Sequence, residues 1–97
     1  MNKFLQSFIE NQLNGIFWGS IKVNFKNNYE KVFIGKEAGL SSNITIHDDS
    51  IVKDVLYRGE LGFAEGYINN KWDTSNLSNL LKILLKNQHI NKKEIKP

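Results

Sequence analysis

Few side chains in this sequence are of a type and spacing that could do chemistry. His47, Asp48 and Asp49 form a run in which metal-ligating atoms lie close together, and a histidine beside two carboxylates is a donor set a divalent cation would accept. The run falls where a strand pattern gives way to a helix pattern, a place where aspartates serve turns and caps, and that is the role expected of it. His89 has no partner at a useful spacing. Glu60 and Glu65 invite comparison with paired catalytic carboxylates, but five positions apart on a helix they point about 140° away from each other, which rules out shared proton chemistry. Gly62-x-x-x-Gly66 does not read as a phosphate loop, because no strand pattern leads into it and no Lys-Ser/Thr pair follows. No catalytic, cofactor-binding or metal-ligating residue is therefore expected in this chain.

The stretch from Arg58 to Leu77 is more informative. It holds three glycines and three aromatics in twenty residues that otherwise read as helical. A glycine costs a helix about 1 kcal/mol relative to alanine, so propensity did not place them. Gly62 and Gly66 share one helix face, where missing side chains admit a close neighbour, and Phe63 and Tyr67 form a second i, i+4 pair beside them. Glu65 lies between the glycines. It either holds Arg58, a backbone amide or an indole nitrogen in place, or meets the polar group of a ligand.

At 97 residues the chain has the size of one domain with a single core. No window approaches the roughly 18 consecutive apolar residues of a membrane span, and the start lacks the basic-then-apolar pattern of a secretory signal, so a cytoplasmic location is expected. The absence of cysteine removes disulfides, thiolate metal sites and cysteine nucleophiles together. The net charge of +3 is concentrated at the end: Lys92, Lys93 and Lys96 against Glu94 leave residues 1 to 89 with ten basic and nine acidic side chains. Trp18, Phe25, Phe33 and the later aromatics could stack on bases, but Arg58 is the single arginine of the chain. Core packing is the better account of them, and no nucleic-acid partner is expected.

Helical spacing of Phe4, Leu5, Phe8, Ile9 and Leu13 predicts an opening helix over residues 2 to 13, with Asn2 as its cap and Gly15 past its end. From Ser20 the period changes to two, followed by an Asn27-Asn28 turn, a short run from Glu30 to Ile34, a break from Gly35 to Gly39, and renewed alternation from Ser42 to His47. These runs predict a three-stranded antiparallel meander. Asp49 or Ser50 is expected to cap a short helix that Gly59 ends, and the glycine-bearing helix follows directly. Asp73 or Thr74 is expected to cap a last helix whose Leu77, Leu80, Leu81, Leu84 and Leu85 form a stripe, with Lys82 and Lys86 facing water. Beyond Asn87 the composition is that of a tether. The fold expected is α+β, a domain over residues 1 to 88 and a linker over 89 to 97. Its apolar helices either enclose a tunnel for an acyl chain or pack a dry core, and pattern leaves both open.

Ile44-Thr-Ile-His-Asp48, Val55-Leu-x-Arg58-Gly-x-Leu-Gly62-x-x-Glu65-x-Tyr67, Trp72-Asp73 and the leucine helix from Leu77 together resemble the N-terminal domain of cyclopropane-fatty-acyl-phospholipid synthases and related S-adenosylmethionine-dependent lipid methyltransferases. The resemblance covers roughly residues 16 to 87. It implies a sterol-carrier-protein-like fold and a lipid-engaging role. The domain would hold or present phospholipid to a C-terminal methyltransferase domain, which would bind S-adenosylmethionine and lies outside this sequence. On that reading the residues expected at a lipid or domain contact are Arg58, Gly62, Phe63, Glu65, Gly66, Tyr67 and Trp72, and the protein sits at the inner face of the membrane. Lys92, Lys93 and Lys96 would serve the linker or meet anionic headgroups. The other reading of the same residues is a docking or dimerisation module, using the glycine stripe and the aromatic ridge against its catalytic domain or a second copy.

Overall fold

Lys3–Leu13 forms the first helix, α1, in a computed structural model that describes residues 3 to 94. Its Leu13 is buried in the core, with Leu5, Phe8 and Ile9 packed against that core from one side. The expected cap Asn2 lies outside the described residues.

The alternating residues of β1, Trp18–Asn24, place Ile21 and Val23 wholly inside and leave Lys22 exposed on the other face. A single 3-10 turn at Lys26–Asn28 returns the chain into β2, Glu30–Ile34, antiparallel to β1. The next strand departs from expectation. β3, Glu37–Ile46, lies on the far side of β1 and runs parallel to it, so the predicted antiparallel meander is incorrect. The two-residue link between β2 and β3 crosses the start of β1 instead of folding back: Gly35 N–H donates to Gly19 O at 2.8 Å and Glu37 N–H to Phe17 O at 2.8 Å. Alternation records which face is buried and carries no information about which strand is the neighbour, so this crossing left no trace in the pattern. Gly39, read as part of a break, lies within β3.

A fourth strand, the two-residue β4 at Trp72–Asp73, completes a mixed sheet of order β2-β1-β3-β4. It pairs antiparallel with Thr45 and Ile46. Two residues are too few to show alternation, and the sequence offered Asp73 only as a helix cap.

The helices cover one face of this sheet. α2, Ser50–Ile68, contains the two expected helical segments in one run broken at Gly59, whose φ of 56° and ψ of −131° are non-helical. Its first turn is not capped by Asp49 or Ser50. Asp48 Oδ1 accepts the Ser50 N–H at 2.9 Å, while Asp49 makes no side-chain cap bond. α3, Leu77–Glu94, is capped by Asn76, whose Oδ1 accepts the Asn79 N–H at 2.9 Å. Asp73 and Thr74 are used one step earlier, holding the amides of Thr74 and Asn76 in the turn. α3 continues through much of the stretch expected as a linker, and residues 95 to 97 lie outside the described part. Leu80 and Ile83 carry the buried stripe of α3, with Leu77 and Leu84 beside it and Leu81 and Leu85 exposed.

Candidate functional site

The break at Gly59 folds the second half of α2 back against the first. Gly62 shows how close they come: a Cβ built on it would overlap the carbonyl oxygen of Asp54. A Cβ on Gly66 would overlap the Ile51 side chain and meet the Trp72 ring at 3.1 Å. The neighbours that the glycine stripe admits are therefore inside this chain, and both glycines are buried. A free docking face on that stripe is not what the fold presents.

Trp72, nearly inaccessible in β4, receives the aromatic ridge. Its indole N–H donates to the Phe63 carbonyl at 2.8 Å. The Phe63 ring stacks on it with centroids 4.2 Å apart and planes 15° from parallel, and Tyr67 leans on it at 5.0 Å. The indole is thus held by a backbone oxygen, and Glu65 serves a different partner.

Arg58 and Glu65 form a two-pronged ion pair across the break, Nη1 to Oε2 at 2.7 Å and Nη2 to Oε1 at 2.5 Å. The hydrogen bond and charge of Glu65 raise the Arg58 pKa further above its ordinary value, so Arg58 stays charged across the accessible pH range. Lys71 and Asp54, joined at 2.5 Å, tie the first half of α2 to the turn before β4. Both pairs are partly exposed, which limits what each adds to stability.

Between the sheet and α2 these contacts leave an apolar cleft of about 540 Å³. Val23, Ile44 and Ile46 line its sheet side, Val52 and Val55 its α2 side, and Phe8 its α1 side. It reaches solvent at Gln12, Leu56, Gly59 and Glu60, which line it and are exposed. A second groove of about 380 Å³ runs between the later half of α2 and α3, bordered by Ile68, Leu81 and Leu85. Glu60, Phe63, Trp72 and Leu84 border both. At their junction Gln88 donates a hydrogen bond to Glu60 at 3.1 Å, bridging α3 to α2.

The residues singled out in the sequence thus divide. Phe63 and Trp72 line both cavities and Tyr67 lines the second. Gly62 and Gly66 shape the elbow from behind, and Arg58 with Glu65 clamps it. Sequence reasoning missed the contributions of Phe8, Leu84, Glu60 and Gln88. The first two lay on apolar stripes that look the same whether they fill a core or border a void, and Gln88 extends the Leu84 side of α3 by one turn.

Of the His47-Asp48-Asp49 run, Asp48 takes the capping role through the Ser50 amide, while Asp49 makes no side-chain cap bond. Among the described residues no cluster of three metal-ligating side chains occurs. The Ser50 amide and then its hydroxyl hold the Asp48 carboxyl below its ordinary pKa, with Lys71 and Lys26 adding to the effect. No helix among the described residues is long and apolar enough to cross a membrane. No family model, curated protein or solved structure matches this chain.

Proposed function

We propose that this chain is a lipid-engaging domain of the cyclopropane-fatty-acyl-phospholipid synthase kind. Its cleft takes up an apolar chain of a phospholipid and presents it to an S-adenosylmethionine-dependent catalytic domain elsewhere. The observation that carries this reading is the cleft of about 540 Å³. Its volume lies within the roughly 300–1,000 Å³ of small-molecule sites, and its walls are almost wholly hydrocarbon. The lining contributes an apolar floor and two polar residues at the rim, Gln12 and Glu60, an arrangement suited to an alkyl chain and poorly suited to a nucleotide or a sugar. The finer fold reading, a sterol-carrier-like architecture, belongs to the same proposal, as does a working position at the membrane surface.

Exposed Leu81, Leu85 and Ile68, at 44%, 63% and 74%, favour one further reading, in which the second groove docks a protein partner or another copy of this chain. The two readings separate in one experiment. The isolated domain, titrated with phospholipid liposomes and with a fluorescent fatty-acyl probe, is expected to bind both while remaining monomeric by light scattering. Self-association without lipid or probe binding would replace the lipid reading with the docking one.

A further inference from the structure

The cleft beside the sheet and the groove beside α3 share Phe63, Trp72 and Leu84 as walls. Of these, Trp72 is fixed: it is 2% exposed, its backbone pairs with Ile46, and its indole is hydrogen-bonded. The half-buried Phe63 ring stacks on it and packs against the core, while the Phe63 carbonyl accepts the indole N–H. Beside the shared wall, Gln88 Nε2 donates to Glu60 Oε1 at 3.1 Å. Gln12, on α1, remains as the uncharged polar group at the rim of the cleft.

We propose that the Phe63 ring is a partition that sets the length of apolar chain this domain accepts. The proposal rests on the acyl-binding reading above. An unbranched alkyl chain with an uncharged polar end lies in the cleft with that end at Gln12 and Leu56, and its tail stops at the Phe63–Trp72 stack. The groove beyond, bordered by Ala64, Leu81 and Leu85, stays empty of this chain until the ring is removed. A cavity of about 150 Å³ holds one benzene, so the cleft has room for roughly three such units and the groove for roughly two more. Removing the partition therefore adds space for several methylenes. Glu60 is the charged residue lining both spaces, so the probes should carry neutral ends.

The test is displacement of a fluorescent alkyl probe from the domain by a homologous series of straight-chain alcohols. In the unaltered protein affinity should rise about fourfold per added methylene, the ratio that burying one CH₂ implies, and then level off at a fixed length. In Phe63→Ala the rise should continue past that length. The indole anchor survives this change because its acceptor is a backbone oxygen. Ala64→Trp fills the groove from an exposed position. Alone it should leave the levelling-off length unchanged, and combined with Phe63→Ala it should restore that length. Levelling at the same length in both proteins would overturn the partition, as would a shorter limit in Ala64→Trp alone. Should Phe63→Ala fail to fold, Phe63→Leu and the Ala64→Trp arm decide the matter. Failure of every alcohol to displace the probe, or of the probe to bind, would count against the acyl reading itself and so is a separate result.

Discussion

Two places where helix meets strand in this domain are built differently. At the seam, α3 closes over the start of β1. Ile83 has no exposure, and Asn87 spends its whole amide on the junction: Oδ1 accepts the N–H groups of Phe17 and Trp18 at 2.7 and 3.0 Å, and Nδ2 donates to the carbonyls of Trp18 and Ile83 at 2.8 Å each. At the elbow, α2 bends over the same sheet, but a cavity lies beneath it, Leu56 and Leu61 are more than half exposed, and the polar ties are partly exposed ion pairs. A satisfied, buried polar hub makes the seam specific and expensive to disturb. The elbow spans a cavity and is tied by partly exposed ion pairs, an arrangement that lets a region open for a ligand.

The sharpest way to break this contrast is to cut two contacts at the seam and one at the elbow. Asn87→Ala strands the Phe17 and Trp18 amides and should lose about 4 kcal/mol in a urea melt. Ile83→Ala should lose about 3 kcal/mol, the usual cost of truncating a fully buried aliphatic side chain. Leu56→Ala at the elbow, where the side chain is 52% exposed and borders a void, should lose under about 1 kcal/mol. Equal losses at the two places would mean that the elbow is as firmly packed as the seam.

Within the elbow, the two glycines of interest should separate by a smaller margin. Gly62→Ala drives a methyl into the Asp54 carbonyl and forces the halves of α2 apart, for about 3 kcal/mol. Gly59→Ala meets no atom within 4 Å, but its φ of 56° with ψ of −131° is a conformation that L side chains rarely adopt, so about 1–3 kcal/mol of backbone strain is expected. Thermal melts of both variants, with acyl-probe affinity as a second readout, would show whether the bend or the close approach matters more.

What could be read in the sequence follows from which signals are local. Alternation from Ser20 located β1, the short run of strand-forming residues from Glu30 to Ile34 located β2, and Gly59 marked the interruption of α2, because face and backbone conformation are written residue by residue. The parallel placement of β3 was not legible, since it depends on a link passing over β1. β4 was too short to have a period. In the site, Gly62, Gly66, Phe63 and Trp72 stood out as residues needing close neighbours, and all four sit at or beside the elbow. That their neighbours lie in the same chain, and that a void lies between them and the sheet, are properties of three-dimensional fit. Asn87 gave no signal either, because an asparagine late in a lysine-rich helix looks solvated until its partners seventy and sixty-nine positions away are known.

Smaller again are the ion pairs. Arg58→Ala should destabilise the domain less than Gly59→Ala does, and the difference should fade as salt is added, because both partners are substantially exposed and screened. Its effect on acyl-probe association should be the more visible one, a faster on-rate in stopped flow, if the clamp across Gly59 resists opening. An unchanged on-rate would reduce the pair to surface decoration and weaken the view of the elbow as the side that opens.

The smallest effect sharpens the comparison through pH. Asp48, which receives the Ser50 amide at the start of α2, has a folded-state pKa below its ordinary value, and that hydrogen bond is the first cause. For a carboxylate lowered on folding, the unfolded chain binds the proton more tightly. The stabilisation is thus fully present above the unfolded value, near 3.9, and is lost as pH falls through the lower folded value. The seam residue Asn87 cannot titrate. Acidification should therefore loosen the α2 side first, seen as hydrogen exchange rising in Ser50–Arg58 before it rises at Phe17 and Trp18. Asp48→Asn should remove this part of the pH dependence while leaving exchange at the seam unchanged. Simultaneous loss of protection on both sides, in the variant and in the unaltered protein alike, would mean that the two regions unfold as one unit and that the elbow has no independent freedom to admit a ligand.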